Sequence, residues 1–326
     1  MSVFVAEELS EVLNTKVVIG RINMGLLNRI IIDDVLLDDQ SGQEMLKVTR
    51  LSAKFDIMPF FKGKISISSV QLFGFNINLR KETPDSPPNF KFVLDAFASK
   101  DTVKKENSLD LRINSILIRR GRMSYHVLSE EETPGKFNAK HIQLQNIIAN
   151  ISLKALSKDS LNLGIKRLSL DEKASGFSLK KMSLKLVANN KQTNIDNFTI
   201  ELPETSLKLD TIHLEYDSLK AFDRFTEQVH FSFRTLPSQV TLKDISPFVP
   251  ILSHFKEPVT LDMEVKGTVD QLTCSHLEIT ADDRQFRLRG DVSLQDLSRP
   301  QDAYVYGTLS ELSANTRGVG FLVRNL

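Results

Sequence analysis

The side chains that could do chemistry in this chain are dispersed rather than gathered. The six histidines, His126, His141, His213, His230, His254 and His276, include no pair three or four residues apart. That spacing is what sets two imidazoles on one helix face around a metal ion. They read instead as scattered structural or surface histidines that lie far apart. Asp33 with Asp34, and Asp38 with Asp39, fall in strand-like text. Adjacent side chains there point to opposite faces, so neither pair can share a proton in acid–base catalysis. They read as solvated strand ends. "KASGFSLK" lacks the flanking glycines of a nucleophile elbow. Gly318 and Gly320 lack the third glycine of a dinucleotide loop, and no Walker A text occurs. Cys274 is the single cysteine, which excludes an intrachain disulfide and a cysteine-based metal site. The expectation is a protein with no catalytic residues, no metal and no cofactor.

Two charged stretches carry further options. "IRRGRMSY" places Arg119, Arg120 and Arg122 around Gly121. This reads as a charged hairpin turn, with contact to a lipid headgroup phosphate as the functional alternative. Arg289, Gly290 and Asp291 read as a strand-terminating turn. The 42 basic and 41 acidic residues nearly cancel, so no global field recruits nucleic acid. Aromatic usage is one-sided, with 20 Phe, 4 Tyr and no Trp. Sugar sites and membrane girdles favour rings with a polar handle, whereas this bias suits a purely apolar lining.

The elements that must position these groups are legible as an interrupted alternation. In "TSLKLDTIHLEY", Leu207, Leu209, Ile212 and Leu214 scatter around a helix axis, which excludes a helix. In a strand, the extra polar residue would flip the second apolar pair outward unless a β-bulge absorbs it. The same beat runs through Ile65, Ile67, Val70 and Leu72; Leu109, Leu111, Ile113, Ile116 and Ile118; Ile142, Leu144, Ile147, Ile151 and Leu153; and Phe177, Leu179, Met182, Leu184 and Leu186. Two-residue hairpins at the polar pairs are the rival reading, but those pairs mostly lack glycine. Val259 to Val265 and Phe286 to Leu288 alternate plainly.

Helices are few. Val5, Leu9, Val12 and Leu13 mark an opening amphipathic helix with Glu7, Glu8 and Glu11 toward water. Asn89 starts a second with Phe90, Val93, Leu94 and Phe97. Ser218 starts a third with Leu219, Phe222 and Phe225, and Ser246–Pro247 a fourth with Phe248, Ile251, Leu252 and Phe255. Each of the last three reads as a Phe-bearing plug for an apolar surface. No stretch approaches the roughly 20 apolar residues of a membrane-spanning helix. The first residues lack the basic flank of a signal peptide, and both ends read as cuts from a longer chain.

Residues 6–81 carry a more specific likeness. The opening helix, "VVIGRI", "IIIDDVLLDD", "FDIMPFFKGKI" and "VQLFG" resemble the membrane-proximal start of the AsmA-like superfamily, most closely its TamB members from Bacteroidota. "PVTLDMEVKGTVDQLTCSHLEITADDRQFRLRGDVSL" is similar to the family's repeated strand-turn-strand text. The resemblance implies a mainly β fold: a long, curved, twisted, antiparallel-type sheet forming an apolar-lined groove. Residues 1–99 would be the N-terminal region with its opening and cap helices, and residues 100–326 the elongated groove. It further implies a periplasmic location, an inner-membrane anchor upstream, and an outer-membrane barrel partner engaged by a C-terminal region. In such a protein phospholipid acyl chains are shielded between the membranes.

On that reading Leu168, Leu170, Leu184, Leu186, Ile200, Leu202, Leu207, Leu209, Ile212 and Leu214 face one continuous lipid groove. Two other readings compete. The same side chains close on one another in an ordinary two-sheet sandwich, or the sheet edges bind outer-membrane proteins by β-augmentation during their assembly.

Overall fold

A computed structural model describes residues 2–26, 28–55, 67–98, 113–156, 160–281, 285–299 and 302–319. Ile65, Leu109, Leu111 and most of "FDIMPFFKGKI" lie outside the described residues. The fold is mainly β: among the described residues, seventeen strands form one large mixed sheet, with few and short helices. The chain divides into two compact units, Met1–Leu156 with Arg167–Ser178, and Ser157–Lys166 with Leu179–Leu326.

In the first unit, α1 (Ser2–Leu13) precedes β1 (Val17–Gly25), β2 (Arg29–Asp38), β3 (Glu44–Phe55) and β4 (Ile67–Lys81), an antiparallel series. The interrupted alternation takes a form here that no single strand discloses. Register rows run Ile22–Ile32–Leu51–Leu72 and Ile19–Val35–Val48–Phe75. Between them every strand carries two residues where plain alternation has one, all at the same level: Gly20–Arg21, Asp33–Asp34, Thr49–Arg50 and Phe73–Gly74. Because all four strands share the interruption, no register shift arises at that level. Asp34 (φ 57°) and Gly74 (φ 64°) take left-handed backbone, which turns the alternation back to its original face. At Gly74 a Cβ would also stand 2.7 Å from Thr49 Oγ1. Shifted bulges do occur at the polar pairs Ser68–Ser69, between Ile113 and Ile116, and around Gly121.

The expected antiparallel-type sheet is corrected at one pair. β4 and β5 (Ile113–Val127) are parallel, and the intervening α2 (Lys91–Ala98) belongs to the crossover that such a pair requires. β6 (His141–Leu156) returns antiparallel to β5. α1 packs through Val5, Ala6 and Leu13 onto Val17, Ile19, Leu37 and Met45, and Phe90, Phe92 and Val93 of the α2 segment join the same cluster. Leu9 and Val12, read as part of the packed stripe, are 38% and 45% exposed. The contact stripe is rotated toward Ala6 because a small side chain lets the helix approach the strands.

Of the paired aspartates only Asp34 is solvated, and it lies mid-strand in β2. Asp33, Asp38 and Asp39 are all buried. Asp33 receives both Nε (2.6 Å) and Nη2 (3.2 Å) of Arg50, and this guanidinium holds its carboxyl below the usual range. Asp39 receives Arg80 at 2.6 Å, together with the Ser41 and Gln43 amides, the Ser41 hydroxyl and Asn89. Burial opposes its ionisation, but the hydrogen bonds outweigh that and keep its carboxyl below its ordinary value. Asn89, read as a helix cap, instead ties Arg80 N, Asn78 O and Asp39 together.

In the second unit, β8 (Ser178–Asn189) pairs with β9 (Gln192–Glu201), and β9 pairs with β10 (Ser206–Lys208) and β11 (Ile212–Glu215). β11 and β10 hand over to β12 (His230–Arg234) and β13 (Ser238–Val240), and these to β14 (Val259–Gly267), β15 (Gln271–Ala281), β16 (Phe286–Gln295) and β17 (Tyr304–Ala314). β7 (Ser160–Glu172) contains the division between the units. The third helix is a 3₁₀ stretch, Leu219–Arg224, followed by one α-turn, α3 (Phe225–Gln228); Ser218 makes no side-chain cap bond. The fourth reduces to 3₁₀ turns at Leu242–Ile245 and Pro250–His254. Pro250 lacks the amide that a continuous helix would need there.

Candidate functional site

The apolar positions of the second unit converge by register. Residues directly opposite in an antiparallel pair share a face. Met182–Ile200–Leu207 is one cross-strand row and Leu186–Ile195–Ile212 another. Between them Ser183 faces Thr199 and Lys185 faces Asp196, two steps on β8 against three on β9. The extra residue is Asn197, left-handed at φ 54°. This bulge keeps Phe198 and Ile195 on the face of Leu184 and Leu186. On the third strand the same interruption appears as a break, with Asp210 and Thr211 between β10 and β11. Leu207, Leu209, Ile212 and Leu214 therefore share one side, as the alternation predicted.

The face continues. Leu214 is opposite Phe231; Phe233, two residues on from Phe231, shares its side and meets Val265, which meets Cys274, which meets Val292. Ile195, Phe198, Phe231 and Phe233 are members that spacing did not single out. Cross-strand register assigns them, and no signal within one strand reports it. The opposite face is polar. His213 Nδ1 lies 2.5 Å from Asn194 Oδ1, Lys181 pairs with Glu201 at 3.3 Å, and Arg289 pairs with Glu278 at 3.0 Å.

Eight of the ten residues expected to line a groove, all but Leu168 and Leu170, lie on this face. Leu202 and Leu209 are buried; Leu184, Leu186, Ile200, Leu207, Ile212 and Leu214 are half-buried. One end is closed: Leu214 packs on Tyr216, Ala221 and Val229, with the Phe222 ring edge-on to Tyr216 at 4.8 Å. The plug works through Ala221 and Val229, while Phe222 and Phe225 stay 41% and 39% exposed.

Leu168 and Leu170 belong to the first unit. Leu170 joins the cluster of Val48, Phe75 and Ile147, and Leu168 is half-buried. This cluster draws Leu51, Leu72 and Ile118 from one side of the interruption and Val35, Met123 and Leu144 from the other.

Arg119, Arg120 and Arg122 do not form a hairpin turn. They lie mid-strand in β5, where the turn reading fails because Gly121 serves another purpose. Its missing Cβ leaves room for the Phe75 ring, whose nearest atoms would stand 2.4 Å away. Arg120 is left-handed at φ 55°, and its guanidinium sits 5.1 Å from the Phe73 ring centroid. Arg119 and Arg122 project from the face opposite the apolar cluster. The Arg289–Gly290–Asp291 run is likewise mid-strand, with Gly290 pressed against Thr308 O.

The histidines reverse another expectation. His126 and His141, fifteen residues apart, are cross-strand partners, with their Nδ1 atoms 3.0 Å apart. No family model matches the chain, and no curated protein is significantly similar to it.

Proposed function

We propose that this chain is a periplasmic segment of an inner-membrane-anchored protein of the AsmA-like kind, which bridges membranes by shielding phospholipid acyl chains along its apolar sheet face. One observation carries the reading: the apolar face is not sealed. Among the described residues the largest fully buried side chain is Val229. A two-sheet sandwich interdigitates Leu, Ile and Phe at core density, whereas here those residues are mostly only partly buried. Apolar surface left facing water is unfavourable by about 25 cal/mol per Å², and an acyl chain gains about 0.8 kcal/mol for each methylene it buries there. Each relieves the other without catalysis, so the scattered reactive groups are no obstacle. The likeness of residues 6–81 to the AsmA-like start supports an inner-membrane anchor and an outer-membrane barrel partner as further parts of the proposal.

A second reading has its own observation. β17 pairs with β16 and is almost wholly exposed, with Tyr304, Val305, Tyr306, Leu309 and Leu312 between 57% and 65%. Such a strand is a template for β-augmentation by an unfolded outer-membrane protein.

Photo-crosslinking amino acids at Ile200, Leu207 and Phe233, with His213 on the polar face and Tyr306 on β17 as comparisons, separate the readings in cells. Conduit function predicts lipid adducts at the first three and none at His213. Polypeptide adducts confined to Tyr306, with no lipid anywhere, would overturn the conduit in favour of the scaffold.

A further inference from the structure

The β5–β6 hairpin brings three ligand-type side chains together at its closed end. His126 and His141 face each other across the strands, and Glu132 comes from the loop between them. Its Oε1 lies 4.0 Å from His126 Nδ1, and the ligand atoms of all three residues fall within 4.8 Å of one another. The far side of His141 is also arranged. Its Nε2 is 2.9 Å from the Glu130 carbonyl oxygen, which only accepts, so Nε2 carries the proton and Nδ1 keeps its lone pair. A backbone carbonyl behind an imidazole is how metal-bound histidines are oriented. His141 is buried and Glu132 exposed, so the cluster opens to solvent on the glutamate side.

We propose that His126, His141 and Glu132 bind a divalent transition metal of the Zn²⁺ class. In the metal-free chain His126 Nδ1–H donates to His141 Nδ1; the ion takes the place of that proton, which moves to His126 Nε2. Two imidazole nitrogens on a tetrahedral zinc stand about 3.3 Å apart, given Zn–N bonds of about 2.0–2.1 Å. The observed pair therefore opens by a few tenths of an ångström, and the exposed Glu132 closes by a side-chain rotation. Two nitrogens and one carboxylate select zinc, cobalt or nickel over the all-oxygen sites of calcium and magnesium. The ion clips the end of β5 to the start of β6, independently of the apolar face.

The test uses the full chain stripped with a chelator, then titrated with Zn²⁺ by calorimetry and with Co²⁺ by visible absorbance. Expected are one ion per chain, cobalt d–d bands of tetrahedral intensity, and a raised melting temperature. His126→Asn abolishes these responses, and Glu132→Gln weakens affinity about tenfold or more. His254→Ala, at an exposed histidine elsewhere, binds as the native chain does. Absence of Co²⁺ binding at millimolar metal overturns the site, and so does binding left unchanged by both His126→Asn and Glu132→Gln. Glu132 is exposed, so its variant keeps the fold whatever happens at buried His141.

Discussion

Gly121→Ala probes the floor of the first unit's apolar face. The added methyl would sit 2.4 Å from Cε1 and Cζ of Phe75 and 3.0 Å from Ile147 Cβ. Ordinary carbon contacts lie at about 3.5–4.0 Å, so the ring must retreat by about 1 Å. Phe75 is 7% exposed and packed with Val48 and Ile147, so its retreat disturbs the cluster. Overpacking of this kind costs about 1–3 kcal/mol, and the lower chain entropy of alanine returns about 0.4–1 kcal/mol. Gly121 is not among the positive-φ residues, so backbone strain adds nothing. The net loss is about 1–2 kcal/mol, a fall in melting temperature of about 3–6 °C. The decisive assay is a double-mutant cycle in denaturant with Phe75→Ala, itself worth about 3–5 kcal/mol. With the ring removed, Gly121→Ala should become neutral or slightly stabilising. Equal destabilisation in both backgrounds, or none in the native background, would refute the packing of Phe75 over Gly121.

Two further outcomes follow from the buried carboxylate and the bulge. Asp39→Asn should lose about 2–4 kcal/mol by leaving Arg80 without its counter-charge. Its pH dependence has a definite sign: the folded-state carboxyl of Asp39 is lowered, so its contribution is complete above the unfolded value near 3.9 and is lost as pH falls toward the folded value. Stability measured from pH 6 down to pH 2 should therefore drop less steeply in the variant; parallel curves would sink the assignment. At Asn197, a β-branched residue meets left-handed backbone, so Asn197→Val should cost about 1–2 kcal/mol while Asn197→Gly stays within about 0.5 kcal/mol. Equal stabilities of the two variants in urea titration would count against the bulge.

Individual groups are legible in the sequence to different degrees, and the reason differs by residue. Leu207, Leu209, Ile212 and Leu214 were assigned to one face from spacing alone, because strand alternation is a local geometric rule that an extra residue must obey. Asp33 and Asp39 were misplaced, since adjacency along a strand says nothing of Arg50 and Arg80, which arrive from β3 and β4. Gly121 and Gly290 read as turns, yet each sits mid-strand where a neighbour presses close. Glycine marks both situations, and only the partner distinguishes them. His126 and His141 show the same limit most sharply: fifteen residues separate them in the chain, and one rung of the ladder joins them.

Composition and periodicity by themselves determined a mainly β protein with one apolar side to its strands, interrupted at regular places, and with Phe far more abundant than Tyr or Trp. These are properties of each segment in isolation, set by sterics and side-chain alternation within a few residues. Tertiary structure decided which strands are neighbours, that β4 and β5 run parallel, that four interruptions align in one level, and which histidines meet. Register is a pairing between distant segments, chosen by the summed packing of whole faces, and no local stretch contains that sum.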